Sequence, residues 1–307
     1  MKTTDANLWG IDLGGTKIEC AVLDAHDPLK VLIRERIDTE AQKGYDHILS
    51  QVKILVDRVS DKLGIRPSRI GFATPGVLNP RTQTMKNCNT VSMNGKPMAT
   101  DLAQILGCEV KLANDANCFA LAETLLGAVQ DINPRAEMVF GIIMGTGVGG
   151  GLVAHGKVVQ GLHGIGGEWG HNILEEDGLP CYCGKSGCVE HVLSGPALEH
   201  FYHSKSGQSK RMPEIMRLYQ EKSDDMAIAT VERMLENFGR AVSTLINVID
   251  PDVIVIGGGL GNIDLLYTEG YNRIRKYIFN SGEVFTPIVK PKLGDSAGVF
   301  GAAMLFA

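Results

Sequence analysis

Two stretches of the chain share one pattern of apolar residues and glycines. Residues 8–23 (LWGIDLGGTKIECAVL) and 138–154 (MVFGIIMGTGVGGGLVA) each consist of an apolar run, a glycine-rich segment and a second apolar run. This pattern predicts a β-hairpin with glycines at its tip. Its occurrence twice indicates that one structural design is used in both halves of the chain.

Apolar and amphipathic segments elsewhere complete the prediction of secondary structure. Periodicity near 3.6 residues indicates helices, and short apolar runs indicate strands. The predicted helices are 44–63, 116–127, 196–203, 212–221 and 225–249, and the predicted strands are 69–73, 109–113 and 252–257. Strands that alternate with helices are typical of α/β architecture.

Length and composition narrow the class of protein. A chain of 307 residues exceeds the usual size of one domain, so we expect two. The net charge of −5 offers no basic surface for nucleic acid. Residues 1–9 lack the apolar core of a signal peptide, and glycines or aspartates interrupt the long apolar stretches. We therefore expect a cytoplasmic protein that binds neither nucleic acid nor membranes.

Three of the seven cysteines lie near a histidine in the order His171-x9-Cys181-x-Cys183-x4-Cys188. Cytosolic cysteines are reduced, so a tight cluster favours metal binding over disulfides. Three thiolates and one imidazole form a closed tetrahedral set, which is typical of structural zinc. The alternative is a set of free thiols in a mobile loop. The remaining cysteines are scattered and are predicted to be buried apolar residues: Cys20, Cys88, Cys108 and Cys118.

Glycine-rich tips can bind phosphate, because a backbone without Cβ atoms approaches a polyphosphate closely and presents successive N–H groups to it. Asp12, beside the first tip, can hold Mg²⁺ directly or through water. The candidate nucleotide-binding residues are Gly14, Gly15, Thr16 and Lys17, then Gly145, Thr146, Gly147 and Gly149, and finally Gly258 and Gly259. For the last pair a simple helix-capping turn is the alternative.

Two common nucleotide motifs do not account for these glycines. Residues 145–150 match G-x-G-x-x-G, but the chain continues as a strand and turn where the Rossmann fingerprint should open a helix. The P-loop pattern G-x-x-x-x-G-K-[ST] is absent from the sequence.

Six motifs, taken in order, resemble the sugar kinases of the ROK family (repressor, open reading frame, kinase). They are DLGGTK at 12–17, NDAN at 114–117, GTGVGGG at 145–151, GEWGH at 167–171, CYCGKSGCVE at 181–190 and DPDVIVIGGG at 250–259. The resemblance runs from about residue 8 to the end of the chain. It implies a two-domain α/β fold of the actin-like ATPase (ribonuclease H-like) class, with ATP and sugar in a cleft between the domains.

The resemblance also implies domain limits and an assembly. We expect an N-terminal domain of residues 1–117 that regains residues 294–307 as a returning helix. Residues 118–293 should form the C-terminal domain and carry the segment 171–188, here called the cysteine loop. A homodimer is implied by the resemblance alone.

Site residues follow from the same resemblance. Asp115 matches the catalytic base, although an aspartate at the start of a helix is otherwise usually an N-cap. The residues that match sugar ligands are Gly76, Asn114, Glu168, His171 and Glu190. His171 would serve both metal and sugar, one ring nitrogen on each. The implied substrates and ions are a hexose, ATP, Mg²⁺ and structural Zn²⁺.

The sugar is the least determined part of the prediction. Several stretches most resemble bacterial fructokinases, so we expect phosphorylation of fructose at its 6-hydroxyl. The alternatives are an N-acetylglucosamine kinase or a broad glucose and mannose kinase. Ser92 stands where fructokinases tend to carry tryptophan. A small residue there could leave space for an N-acetyl group or widen the pocket for several hexoses, or it could lie outside the pocket.

Non-enzymatic members of the family are the other class to consider. Its repressors carry an N-terminal helix-turn-helix, and because the first predicted hairpin begins near residue 8, we expect none here. A sugar-sensing binding protein is the remaining alternative. It would be expected to lack Asp115 or Asp12, and both are present.

Overall fold

The structure is a computed structural model that describes residues 7–307 and the backbone of Lys2 and Thr3. Residues 1 and 4–6, which the predicted N-terminal domain includes, lie outside the described residues. The strands are β1 (Lys2–Thr3), β2 (Asn7–Leu13), β3 (Lys17–Asp24), β4 (Val31–Asp38), β5 (Ile65–Arg66), β6 (Arg69–Thr74), β7 (Val77–Leu78), β8 (Met85–Lys86), β9 (Glu109–Asn114), β10 (Met138–Met144), β11 (Val148–Ala154), β12 (Lys157–Val158), β13 (Val253–Gly257) and β14 (Ile288–Val289).

The helices include all five that the sequence predicts, with ends shifted by up to three residues. They are α1 (Tyr45–Leu63), α2 (Met98–Leu106), α3 (Asp115–Leu125), α4 (Ala128–Ile132), α5 (Glu190–Leu193), α6 (Gly195–Ser206), α7 (Met212–Glu221), α8 (Asp225–Ile249), α9 (Glu269–Ile274) and α10 (Ala297–Ala303). No helix in the described part of the chain combines the length and apolar character that a bilayer crossing requires.

The chain groups into two compact units. The first comprises Met1–Arg135, Gly151–Gly167 and Lys292–Ala307, and the second comprises Ala136–Gly150 and Glu168–Pro291. Residues 118–135 and 151–167 thus group with the first unit, whereas the prediction placed them in the C-terminal domain. Hydrogen bonds explain part of the difference, because Leu152 N donates to Asn117 Oδ1 (3.2 Å) and Gln160 Nε2 donates to Leu112 O (3.0 Å).

The first unit is built on a five-stranded sheet in the order β4-β3-β2-β6-β9. β2 and β3 form the predicted antiparallel hairpin, in which Leu13 pairs with Ile18. β6 and β9 add parallel strands on the other side of β2. α1 turns an apolar face inward, burying Ile48, Val52, Leu55 and Val59 at helical spacing, and ends at Gly64 with a positive φ of 70°.

A second five-stranded sheet has the order β12-β11-β10-β13-β14. β10 and β11 are neighbours and form the second predicted hairpin, while β13 and β14 add parallel strands beside β10. Both sheets therefore place an antiparallel hairpin next to parallel strands. The repeated design that the sequence predicts is confirmed at the level of strand order.

α10 packs on β2, β6 and α3, with backbone against backbone. A Cβ atom on Gly10 would lie 2.2 Å from Val299 O, and one on Gly71 would lie 1.8 Å from Ala302 O. On the helix, a Cβ atom on Gly301 would lie 1.8 Å from Cys118 O. These contacts are closer than any side chain allows, so all three positions require glycine.

We therefore expect Gly71→Ala to lower the free energy of unfolding by about 3 kcal/mol, because the new methyl group must displace backbone atoms of α10. Gly259→Ala is the matched control, since a Cβ atom there meets no atom within 4 Å. Urea unfolding of both variants measures the difference. Equal stabilities would contradict the close contact of α10 with β6.

Candidate functional site

The first glycine tip is a tight turn between β2 and β3. Gly14 N donates to Lys17 O (2.9 Å), and Thr39 Oγ1 donates to Gly14 O (2.7 Å). Gly15, Thr16 and Lys17 are exposed to solvent. The turn is thus held at its base by hydrogen bonds, while its tip remains accessible to a ligand.

Two carboxylates stand close together in the first unit. Desolvation, together with the negative charge of Asp115, raises the pKa of Asp12 to about 6. A Cβ atom on Gly298 would lie 2.7 Å from Asp12 Oδ2, so the glycine makes room for this carboxylate. A divalent cation would relieve the repulsion between the two carboxylates, which fits the assignment of Asp12 to Mg²⁺.

Asp115 is the first residue of α3 and is not its N-cap. Asn114 fills that role, because its Oδ1 accepts a hydrogen bond from Asn117 N (2.7 Å). Asp115 Oδ1 accepts one from Ala116 N (2.8 Å), and its side chain reaches solvent. Desolvation by the surrounding protein nevertheless raises the pKa of Asp115 above its ordinary value. A carboxylate that is oriented by the backbone and has a raised pKa suits a general base.

Gly76 and Ser92 also belong to the first unit. A Cβ atom on Gly76 would lie 2.4 Å from Cys88 Sγ, so the glycine is required by packing. Ser92 lies in a short 3₁₀ helix, Val91–Met93, and its Oγ is buried without a hydrogen-bond partner among the residues that the structure describes.

The glycine segments of the second unit meet each other. Gly145 N donates to Gly147 O (2.9 Å), and a Cβ atom on Gly145 would lie 3.8 Å from Gly259 N. Gly258 has a positive φ of 79° and packs against Met144 O. Thr146 is exposed and Gly149 is half-exposed. The parallel pairing of β10 with β13 explains this proximity, because both glycine segments follow the same ends of adjacent strands.

Glu190 connects the second glycine tip to the end of the cysteine loop. Its Oε2 accepts a hydrogen bond from Val148 N (3.0 Å), and a Cβ atom on Gly147 would lie 2.5 Å from the same oxygen. Glu190 is the first residue of α5, directly after the loop. By resemblance Glu190 is a candidate sugar ligand, and in the structure it also orients the second glycine tip, which is a candidate phosphate-binding segment.

The predicted metal ligands come together. One ligand atom from each of His171, Cys181, Cys183 and Cys188 lies within 4.8 Å of every other. Cys181 Sγ is 3.6 Å from His171 Nδ1, and Cys183 Sγ is 3.5 Å from Cys188 Sγ. Tetrahedral zinc with Zn–S bonds of about 2.3 Å needs sulfur atoms roughly 3.8 Å apart. The donor set and its spacing therefore fit Zn²⁺, which would crosslink the loop.

Protein contacts also hold the cysteine loop in the second unit. Arg233 Nη2 donates to Glu175 Oε2 (2.8 Å), which ties the loop to α8. A Cβ atom on Gly187 would lie 1.6 Å from Glu175 O, so two strands of the loop touch through their backbones. Sequence reasoning missed this anchor, because Arg233 is remote in sequence and lies in an ordinary amphipathic helix.

The GEWGH segment places Glu168 and His171 beside the second hairpin. Trp169 Nε1 donates to Gly149 O (3.2 Å), and a Cβ atom on Gly170 would lie 2.0 Å from Val148 O. Glu168 precedes the 3₁₀ helix Trp169–His171 and is half-exposed. The tryptophan and the glycine thus explain why this segment can deliver two polar side chains to one place.

Tyr182 is a neighbour of the site that the sequence did not indicate. Its Oη lies 3.0 Å from His171 Nε2, and the two rings meet edge to face with their centroids 5.1 Å apart. The only available signal was its position between two cysteine ligands.

The predicted residues fall into two groups. Asp12, Gly14, Gly15, Thr16, Lys17, Gly76, Asn114 and Asp115 lie in the first unit, and the remaining site residues lie in the second. Each group carries a glycine tip and polar side chains beside it.

Comparison with known proteins connects these features to a family. The sequence model described as "ROK family" matches residues 8–307. The chain belongs to the ROK family. The N-acetyl-D-glucosamine kinase of Histophilus somni (strain 129Pt) is 37% identical to it, and the alignment covers 97% of this chain and 98% of that protein.

Solved structures of ROK proteins share the fold. The ROK hexokinase from Thermus thermophilus has a TM-score of 0.85 and 32% identity, covering 97% of each chain. The ROK family glucokinase from Streptomyces griseus, in complex with glucose and AMPPNP, has a TM-score of 0.75 and 25% identity, covering 97% of this chain and 98% of that one. The predicted actin-like ATPase fold is confirmed, and this ROK protein is an ATP-dependent sugar kinase.

The predicted likeness to bacterial fructokinases is not supported. The comparisons favour the N-acetylglucosamine alternative, because the curated relative reported above acts on that sugar. The motifs that suggested fructokinase include NDAN, GEWGH and CYCGKSGC. N-acetylglucosamine kinases share many of these motifs, so the motifs do not distinguish the two substrates.

Asp12→Asn should stabilise this ROK kinase at neutral pH. The folded protein disfavours the ionised form of Asp12, so the stability of the wild-type protein falls as the pH rises from about 4 to about 6. Asparagine does not ionise, so the variant does not lose this stability. We expect a gain of about 1–3 kcal/mol at pH 7 that falls by more than half at pH 4.5. Urea unfolding at both pH values measures it, with the exposed Asp38→Asn as control. A gain in stability that is equal at both pH values would contradict the raised pKa of Asp12.

We expect the wild-type protein to bind one zinc ion per chain and Cys183→Ser to bind less than about a tenth of that, because one of the four candidate ligands is lost. Amide hydrogen exchange across 181–188 should accelerate and hexose affinity should fall together with the zinc content. Elemental analysis, exchange and calorimetry measure these effects. Cys108→Ser, a partly buried thiol outside the cluster, is the control. Unchanged hexose affinity in the zinc-free variant would disprove a link between metal and sugar.

Proposed function

We propose that this ROK kinase transfers the γ-phosphoryl group of ATP to the 6-hydroxyl of N-acetyl-D-glucosamine. The observation that carries the choice of sugar is the 37% identity to an N-acetyl-D-glucosamine kinase along nearly the whole of both chains. Glucose, mannose and fructose are the competing substrates.

Asp115 is the proposed general base. A sugar hydroxyl is a weak nucleophile, and a positioned carboxylate accepts its proton as the bond to phosphorus forms. The hydrogen bond from Ala116 N orients one oxygen of Asp115, and its raised pKa brings the carboxylate nearer to the basicity that proton transfer needs.

Three parts of the chain are proposed to hold MgATP. Asp12 would ligate Mg²⁺, and the tips at Gly14–Lys17 and Gly145–Gly149 would present N–H groups to the phosphates, with Gly258 and Gly259 beside the nucleotide. Mg²⁺ supplies the positive charge that neutralises the transferring phosphoryl group. The absence of Cβ atoms at the glycines permits close approach of the backbone.

The sugar is proposed to contact Asn114, Glu168, His171 and Glu190. Glu190 has one oxygen on Val148 N, which leaves the other for a sugar hydroxyl. Zn²⁺ would keep His171 in place by crosslinking the loop on which it lies. Ser92, which stands where fructokinases tend to carry tryptophan, is proposed to leave space for the N-acetyl group of the sugar.

Steady-state kinetics with MgATP and a panel of sugars tests this function. We expect kcat/KM for N-acetylglucosamine to exceed that for fructose and glucose by about 10-fold or more, because partners built for the acetamido group stay unpaired with other hexoses. A preference for fructose or glucose would overturn the proposed sugar. Lack of ADP release with every sugar would overturn the kinase itself in favour of a sugar-sensing protein.

Asp115→Asn should retain sugar binding in calorimetry and lose about 100-fold or more in kcat, because only proton acceptance is removed. Asp131→Asn, an exposed carboxylate paired with Lys292, is the matched control and should keep wild-type kcat. Near-normal turnover by Asp115→Asn would reject its role as the base.

A further inference from the structure

The two ring nitrogens of His171 have different partners. Nδ1 faces the thiol cluster, 3.6 Å from Cys181 Sγ, and Nε2 lies 3.0 Å from Tyr182 Oη. A neutral imidazole that is committed to the cluster through Nδ1 carries its hydrogen on Nε2. Nε2 therefore donates, and the hydroxyl oxygen of Tyr182 accepts.

We propose that Tyr182 is a positioning residue of the sugar site, whose hydroxyl occupies His171 Nε2 until a sugar hydroxyl replaces it. This inference rests on the proposed function, in which Nε2 of His171 contacts the sugar. A single N–H makes one strong hydrogen bond, so a sugar oxygen and Tyr182 Oη compete for the same donor.

The surroundings of Tyr182 allow its side chain to move away from His171 when a sugar binds. The residue is 75% exposed, so the movement of its ring disturbs little of the packed interior. Its edge-to-face contact is with the same imidazole, at an interplanar angle of 84°. Gly184, two residues later, has a positive φ of 88°, and a Cβ atom added there would meet no atom within 4 Å, so there is open space beside this turn.

In the sugar-free protein, the hydrogen bond from His171 to Tyr182 fixes the orientation of the imidazole ring. A ligating histidine with an unsatisfied second nitrogen can rotate or lose its preferred tautomer, and a hydrogen bond to that nitrogen prevents both. Tyr182 provides this bond in the sugar-free protein. The same bond must break on binding, so it lowers the affinity for the sugar.

Tyr182→Phe tests the proposal, because it removes the hydroxyl and keeps the ring. We expect the dissociation constant of N-acetylglucosamine, measured by calorimetry on zinc-loaded protein, to fall about 2- to 10-fold, the worth of one neutral hydrogen bond. The value of kcat should stay within about twofold. Tyr277→Phe is the control, since that hydroxyl bonds Glu236 in the same unit and should not affect binding.

A second measurement does not depend on the sugar. In the nitrogen-15 NMR spectrum of zinc-loaded, sugar-free protein, the Nε2 resonance of His171 should shift in Tyr182→Phe and stay in place in Tyr277→Phe. An unshifted resonance would overturn the proposal, as would an equal or weaker sugar affinity in Tyr182→Phe. Failure of the proposed function would instead appear in the wild-type protein, as an absence of hexose binding or phosphorylation.

Discussion

The contact of α10 with the first sheet and with α3 is the constraint on which the rest of the first unit depends. Gly10 and Gly71 on the sheet, and Gly301 on the helix, allow backbone atoms to touch where any side chain would separate them. β2 carries Asp12 and α3 carries Asp115, so both carboxylates are fixed against the same short helix. Without that rigid support, two groups of like charge would move apart to gain hydration.

Much of the fold could be predicted from the sequence, because its signals are local. Both hairpins follow from apolar runs around glycines, and α1 and α8 follow from long helical periodicity. β4 was missed because it is an edge strand in which the charged residues Arg34, Glu35 and Arg36 interrupt the apolar ones. α10 was identified as a returning helix only by resemblance, since five glycines and alanines, a valine and a phenylalanine give little periodicity.

The site was predictable to a different extent in its different parts. The grouping of the four candidate metal ligands could be predicted from their chemistry and spacing, and the structure brings their donor atoms together. The capping role of Asn114 and the contacts of Tyr182 were not found, since each depends on the orientation of a side chain that spacing does not specify. The predicted preference for fructose is not supported, because N-acetylglucosamine kinases share many of the motifs on which it was based.

Glu190 directly connects the cysteine loop and the second glycine tip, the two candidate ligand-binding segments of the second unit. One carboxylate joins the end of the cysteine loop to the glycine tip through Val148 N. A shift of the cysteine loop is therefore transmitted to the glycine tip through this one hydrogen bond, and a shift of the tip is transmitted to the loop in the same way. The hydrogen bond from Arg233 to Glu175 restricts how far such a change can extend along the loop.

Gly147 and Gly71 both lack space for a Cβ atom, but they differ in whether a second substitution could provide that space. At Gly147 the obstructing atom is the tip of the Glu190 side chain, so a shorter acid at position 190 could accommodate a methyl group at 147. At Gly71 the obstructing atom is a main-chain oxygen of Ala302, which every amino acid possesses. Substitution at 71 therefore has no compensating partner. Among descendants of this chain, a side chain at position 147 requires a change at position 190, while position 71 can only remain unchanged.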